Sequence, residues 1–122
     1  MAASSQQDDA LIVVLCTVPD TAQGASLGRM LVERRLAACV NLLGGLTSIY
    51  RWQGKIHEDP EALMVIKTRR SAFAALTRAL VAAHPYEVPE VVALPTDAVH
   101  APYLAWAFEQ TGTPPSDLEG TP

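Results

Sequence analysis

The residues with the greatest chemical potential stand together in one short segment, His84-Pro85-Tyr86-Glu87-Val88-Pro89-Glu90. An imidazole, a phenol and two carboxylates lie within it, and its two prolines restrict the backbone between them. Imidazole and carboxylate groups serve as metal ligands and as general acids or bases. A rigid polar loop between two apolar segments is therefore a stronger candidate for function than any core residue.

A metal site needs further ligands, and Cys16 is the second candidate. A thiolate with an imidazole suits copper or zinc, and the Glu90 carboxylate could complete a set with Cys16 and His84. No CxxC or HExxH motif accompanies them. A structural alternative stays open for each, because a free cysteine often packs in a core and a histidine before proline suits a helix C-terminus.

Catalysis has weaker support in the residue pattern. No Ser-His-Asp arrangement, GxSxG motif or phosphate-binding loop is visible. A small lyase or isomerase would need Glu87 or Glu90 as a general base with a raised pKa. Since no pattern demands this, we expect no catalytic residues and no enzyme.

Composition excludes several classes of protein. Of 122 residues, 49% are hydrophobic, which is typical of a globular chain. Nine basic against thirteen acidic residues give a net charge of -4, which argues against a nucleic-acid partner. No apolar run approaches the ~20 residues that span a bilayer, and no signal-peptide pattern opens the chain. We therefore expect a cytoplasmic protein without a membrane partner, in which Cys16 and Cys39 are reduced.

Apolar periodicity and turn residues predict one domain over 10–111, between a disordered tail at 1–9 and a flexible tail at 112–122. The elements run strand, helix, strand, strand, helix, strand and a further helix, with Asp20 and Ser71 as helix caps. This order predicts an α+β, ferredoxin-like βαββαβ sandwich with strand order 4-1-3-2. In this topology the end of strand 1, the end of helix 2 and the start of strand 4 meet, so Cys16, His84 and Glu90 should converge.

The hairpin of strands 2 and 3 is unusually long. Each arm has about 13 to 15 residues, or about 43 to 50 Å at ~3.3 Å per residue, whereas a domain of this size is roughly 34 Å across. The hairpin should overhang its own domain and expose Ile49, Tyr50 and Trp52 near its tip. We expect a closed homo-oligomer in which these three side chains pack on a neighbouring copy.

Six blocks carry a resemblance to one known family. They are Leu-Cys-Thr-Val-Pro-Asp (15–20), Arg-Leu-Ala-Ala-Cys-Val-Asn (35–41), Ser-Ile-Tyr-Arg-Trp-Gln-Gly-Lys-Ile (48–56), Ile-Lys-Thr (66–68), His-Pro-Tyr-Glu-Val-Pro-Glu (84–90) and Tyr-Leu-Ala-Trp (103–106). Over about residues 11–110 the chain resembles the CutA divalent-cation tolerance family.

This resemblance implies a homotrimer of ferredoxin-like subunits related in shape to the PII signalling proteins. It also implies a role in tolerance to divalent metals, copper above all, with ligands at Cys16 and at the second of two adjacent histidines, His84. Ala83 stands where the first of those histidines is found. We therefore expect copper or a similar cation to bind with modest affinity, and Glu90 to serve as a substitute oxygen donor.

A second function stays open beside the first. A PII-like signalling or scaffold trimer would bind a small anion or nucleotide in the cleft between subunits. Lys67, Arg51 and Tyr86 are the candidate residues for that cleft.

Overall fold

The computed structural model describes residues 9–112, so both predicted tails lie outside the described residues except for Asp9 and Gly112. Within this range the chain forms four strands and three α-helices. The elements are β1 Leu11–Val18, α1 Thr21–Glu33, β2 Cys39–Trp52, β3 Lys55–Arg69, α2 Phe73–Ala83, β4 Val92–Pro95 and α3 Ala101–Gln110. None of these helices is long and apolar enough to cross a membrane.

The strands form one sheet in the order β2-β3-β1-β4, and every neighbouring pair is antiparallel. Read from the other edge, this is the predicted order 4-1-3-2. The α+β, ferredoxin-like prediction is therefore confirmed, including the additional C-terminal helix.

The two predicted helix caps had different outcomes. Asp20 caps α1, because its side chain accepts a hydrogen bond from the backbone N–H of Gln23 at 2.8 Å. Ser71 does not cap α2, so that prediction was wrong. A 3-10 turn over Arg70–Ala72 precedes the helix, and the Ser71 amide and hydroxyl both donate to the Asp9 carboxylate instead.

Helices α1 and α2 cover one face of the sheet. Alternate residues of β1 and β3 point into this layer, where Leu31, Leu76 and Leu80 are fully buried against them. Helix α1 lies so close to β2 that a Cβ on Gly24 would stand 2.8 Å from a methyl carbon of Leu42. A larger residue at position 24 would therefore require the Leu42 side chain to shift.

The opposite face of the sheet carries mainly apolar residues and is only partly covered; we call it the open face. Its strand register places seven residues side by side: Val13, Leu15, Leu43, Leu63, Val65, Val92 and Leu94. Leu43, Val92 and Leu94 are 43–51% exposed. Helix α3 covers only the corner near Leu11 and Ala38, through its buried Ala107.

The hairpin of β2 and β3 extends well beyond the rest of the sheet. The last pair between β1 and β3 is Val18 with Ala62, so residues 55–61 of β3 pair with β2 alone. A bulge interrupts β2 between Leu43 and Leu46, and positive φ angles at Gln53 and Gly54 form the turn. The predicted overhang is thus confirmed.

Arg69 contacts both ends of the described chain. It lies at the end of β3 opposite the hairpin turn. Its guanidinium forms a salt bridge with Asp9 at 3.0 Å and a hydrogen bond with the Thr111 hydroxyl at 3.0 Å. It also lies 4.3 Å from the centre of the Phe108 ring. Residues 9 and 111 therefore lie within reach of a single side chain.

Candidate functional site

A cleft of about 760 Å³ opens where the overhanging hairpin meets the loop that follows α2. We call Asp59 and Glu61 of β3 its floor; β2, the end of β1 and the loop supply most of the remaining lining. Its lining consists of Thr17, Pro19, Ser48, Ile49, Tyr50, Trp52, Asp59, Pro60, Glu61, Pro85, Tyr86, Glu87, Val88 and Glu90. A concave cleft of this volume is a natural place for a ligand.

Four carboxylates give the cleft a negative charge. Asp59 and Glu61 project from the same side of β3, two residues apart, and Glu87 and Glu90 come from the loop. Within the described part of the chain, no lysine or arginine belongs to the lining. The electrostatic potential of the cleft therefore favours cations over anions.

Two phenols hold the carboxylates of β3 in place. Tyr86 donates its hydroxyl to Glu61, and Tyr50 donates its hydroxyl to Asp59. Burial and then the bond to Glu61 raise the pKa of Tyr86, while the bond to Asp59 is the main cause that raises the pKa of Tyr50. Both phenols therefore stay protonated and act as donors.

His84 anchors the loop to β1. It caps the C-terminus of α2, is only 8% exposed, and has its Nε2 atom 2.9 Å from the Thr17 carbonyl oxygen. Because a carbonyl oxygen only accepts, Nε2 carries the hydrogen, and Nδ1 accepts the Tyr86 amide at 3.1 Å. Both ring nitrogens are thus used within the subunit.

Cys16 lies in the core, on the helix-covered side of the sheet. Strand β1 continues to Val18, so Cys16 is not its last residue and its side chain is fully buried. Burial, followed by the charges of Glu90 and Glu61, raises the pKa of the Cys16 thiol to about 12. The neutral thiol is therefore strongly favoured over the thiolate that binds metals.

The structure brings the predicted metal ligands into one neighbourhood but not into one coordination group. The Sγ atom of Cys16 lies 3.6 Å from the Thr17 carbonyl oxygen, the same oxygen that His84 contacts. Glu90 lies in the lining of the cleft, close enough for its charge to raise the pKa of the Cys16 thiol. Across residues 9–112, no three His, Cys, Asp or Glu side chains are placed to hold one metal ion. The Cys16–His84–Glu90 site stays a prediction.

The predicted anion-binding residues are spread over the subunit. Lys67 donates to the Asn41 side chain and lies six residues from Glu61 along β3, roughly 20 Å at ~3.3 Å per residue. Arg51 is exposed near the hairpin tip, and only Tyr86 lines the cleft. A grouping of the three across two subunits stays a prediction.

Sequence reasoning missed Asp59 and Glu61 as site residues. A signal for them exists in the outer half of β3, where Asp59 and Glu61 alternate with Pro60 and Ala62. It also assigned Ile49, Tyr50 and Trp52 to a subunit interface, and all three line the cleft of their own subunit. They are 39–67% exposed as well, so the interface assignment stays a prediction.

Comparison with known proteins gives consistent matches. The family model described as "CutA1 divalent ion tolerance protein" matches residues 12–110. The Divalent-cation tolerance protein CutA of Thermus thermophilus is 52% identical over 100 residues, covering 82% of this chain and 97% of the relative. Protein CutA of Mus musculus is 50% identical over 95 residues and covers 78% of this chain, which spans about half (54%) of the mouse protein.

The fold comparison agrees with the sequence comparison. The solved structure of the divalent cation tolerance protein (Cut A1) from Thermus thermophilus superposes with a TM-score of 0.81 at 51% identity. The match covers 84% of this chain and 99% of that chain.

Proposed function

Because the chain belongs to the CutA1 divalent ion tolerance family, we propose that it acts in tolerance of divalent metal ions as a homotrimer that binds copper or a similar cation with modest affinity. The family is named for a tolerance to ions rather than for a reaction, and we propose a non-catalytic role. We also propose a cytoplasmic location, in keeping with two free cysteine thiols.

The observation that carries this proposal is the negative cleft beside His84. Four carboxylates concentrate cations in the cleft, and Glu90 offers an oxygen ligand there. His84 can offer Nδ1 to a metal only by giving up the Tyr86 amide. Cys16 must lose a proton held with a pKa of about 12. These two costs support a modest affinity, because metal ligands must be free and deprotonated.

The trimer is supported by the open face. Strand β1 is apolar on both sides, a pattern typical of strands covered on both faces. In the subunit, however, α1 and α2 cover one side, and α3 covers only a corner of the other. The uncovered apolar side chains, together with Ile49, Tyr50 and Trp52 on the hairpin, supply surface for neighbouring copies. A trimer should give a light-scattering mass three times that of the chain at micromolar concentration.

An anaerobic competition titration with copper tests the proposed cation site. We expect saturable binding by the native chain and weaker binding by Cys16→Ala, His84→Ala and Glu90→Gln. Matched controls are His100→Ala and Glu109→Gln, whose side chains are exposed on or beside α3, away from the cleft. Circular dichroism checks that each variant is folded. Equal copper binding by all six proteins would contradict the proposed ligands.

A further inference from the structure

Asp9 is bound at the end of β3 by residues of one short segment. Its carboxylate accepts hydrogen bonds from the Ser71 backbone N–H at 3.1 Å and from the Ser71 hydroxyl at 2.9 Å. It also forms the salt bridge with Arg69 at 3.0 Å, and only 12% of the Asp9 side chain is exposed. The Arg70 backbone N–H donates to the Ala10 carbonyl oxygen at 2.8 Å and fixes the same stretch of chain. The attachment of Asp9 therefore depends on Ser71 being an uncharged hydrogen-bond donor.

Ser71 itself is exposed, in the 3-10 turn of three residues that joins β3 to α2. It belongs neither to the hairpin nor to the open face, the two surfaces that we assign to contacts between copies. A 3-10 turn has poorer hydrogen-bond geometry than an α-helix, and segments with few buried contacts open locally at low cost. A modifying enzyme can therefore reach the Ser71 hydroxyl.

The residues before Ser71 carry positive charge. Arg69 and Arg70 precede it directly. Charge complementarity between basic residues beside a serine and an acidic substrate groove is one basis of kinase specificity. Ser26 and Ser48 are the other serines of the described range, and no basic residue stands within the four positions before either. This charge pattern thus distinguishes Ser71 from both of them.

We propose that Ser71 is a phosphorylation site and that its phosphate displaces Asp9 from Arg69. The Ser71 hydroxyl oxygen attacks the γ-phosphorus of ATP held by a serine kinase, and the bond from that phosphorus to the oxygen bridging to the β-phosphate breaks. ADP leaves, and the hydroxyl proton passes to the catalytic aspartate of the kinase. This modification goes beyond the proposed ion tolerance, because it takes place opposite the hairpin turn and requires no metal bound to this chain.

A phosphate would reverse the interactions that hold Asp9. It removes the hydrogen that the Ser71 hydroxyl donates and places a charge of about −1.5 to −2 beside a carboxylate. The two anions repel each other, whereas Arg69 gains charge-assisted hydrogen bonds to the phosphate oxygens. Arg69 also contacts the Thr111 hydroxyl and the Phe108 ring, so the rearrangement would extend to the end of α3.

Treatment with a kinase and ATP tests Ser71 as the acceptor. The probes are the catalytic domains of two serine kinases that prefer basic substrates, one of the cyclic-AMP-dependent class and one of the protein kinase C class. We expect mass spectrometry to locate one added phosphoryl group on Ser71. Ser71→Ala should abolish this addition, and the matched control Ser26→Ala, at another exposed serine, should leave it unchanged. Arg70→Ala, which alters an exposed side chain, should slow it by roughly tenfold.

NMR relaxation measures the release of Asp9. Its backbone N–H should have an order parameter of about 0.85 in the unmodified chain and below about 0.6 in the phosphorylated chain. Asp9→Asn gives a matched comparison, because it removes the carboxylate charge that the phosphate repels. Phosphorylation should therefore lower the melting temperature of the native chain more than that of Asp9→Asn. Circular dichroism shows that each variant is folded.

Two results would overturn the proposal. One is that neither kinase modifies the native chain, or that Ser71→Ala is modified as fast as the native chain. The other is an Asp9 order parameter that phosphorylation leaves unchanged. Neither result bears on copper binding at the cleft, which lies towards the other end of the sheet.

Discussion

His84 shows how the neighbours of a side chain decide what it can do. Its position at the end of α2 follows from local signals, a helical apolar pattern that stops before Pro85, and was predictable from the sequence. Its bond to the Thr17 carbonyl joins residues that are far apart in the chain, and no local pattern indicates it. The residue type suggested a metal ligand, whereas the contacts show an anchor whose nitrogens are both in use.

The surroundings of Cys16 also decide what its side chain can do. Because the thiol is buried, the stability of the fold should depend on pH in the alkaline range. Its pKa is raised from 9.0 to about 12, so the folded state favours the neutral thiol. The resulting stabilisation is full below pH 9 and is lost as the pH rises from 9 towards 12. We expect Cys16→Ala to lower the free energy of unfolding at pH 7 by about 1–2 kcal/mol, because the smaller side chain leaves a cavity. Urea unfolding from pH 7 to 11 should show a flatter alkaline decline in Cys16→Ala, and parallel curves would contradict this.

The hydrogen bond between Tyr86 and Glu61 should contribute to the stability of the folded subunit. Tyr86→Phe keeps the ring and removes the hydroxyl, so the free energy of unfolding should fall by about 1 kcal/mol. Tyr50→Phe is the matched control, since its hydroxyl bonds to Asp59 at a more exposed position and should matter less. Chemical denaturation measures both, and a larger loss in Tyr50→Phe would oppose this ranking.

The hairpin is the element that separates predictable from unpredictable features most clearly. Its length follows from local sequence and was predicted correctly, and its bulge and its turn fall at glycines, Gly44–Gly45 and Gly54. The pairing of its acidic residues with phenols depends on the register of β3 and on the path of a distant loop. The acidic floor of the cleft was therefore missed.

The turn of the hairpin should tolerate few residues at its second position. Gly54 has a φ of +79°, a conformation that costs an L-residue roughly 1 kcal/mol. Gly54→Ala should therefore lower the free energy of unfolding by about that amount. Lys55→Ala, the next residue and exposed, is the control and should change it by less than about 0.5 kcal/mol. Thermal melts of both variants measure the difference.

On the scale of the whole molecule, the sequence predicted the fold because the order of elements leaves few topologies open. It placed the subunit contacts only on the hairpin and overlooked the open face. The signal was present, since residues 11–16 are apolar without alternation and so call for cover on both sides of the strand. The helices α1 and α2 of a single subunit supply one of these covers, and the other would come from the proposed trimer.

A charge on the open face should dissociate the proposed trimer. Val65 lies on that face, so Val65→Glu should reduce the light-scattering mass from three chains to one. Val81→Glu is the control, because Val81 is 46% exposed on α2 and lies on the other side of the sheet, so its mass should not change. An unaltered mass for a folded Val65→Glu protein would place the contacts elsewhere.

The contacts of Arg69 with both ends of the described chain have a practical consequence. Residues 9 and 111 meet at one side chain, at the end of β3 opposite the hairpin turn. A short peptide linker should therefore join the two ends, and a circular permutant with a new start in the hairpin turn should still fold. For the same reason, a reporter domain fused at residue 9 or at residue 111 would lie at the end of the subunit opposite the hairpin turn. It would therefore leave the cleft accessible.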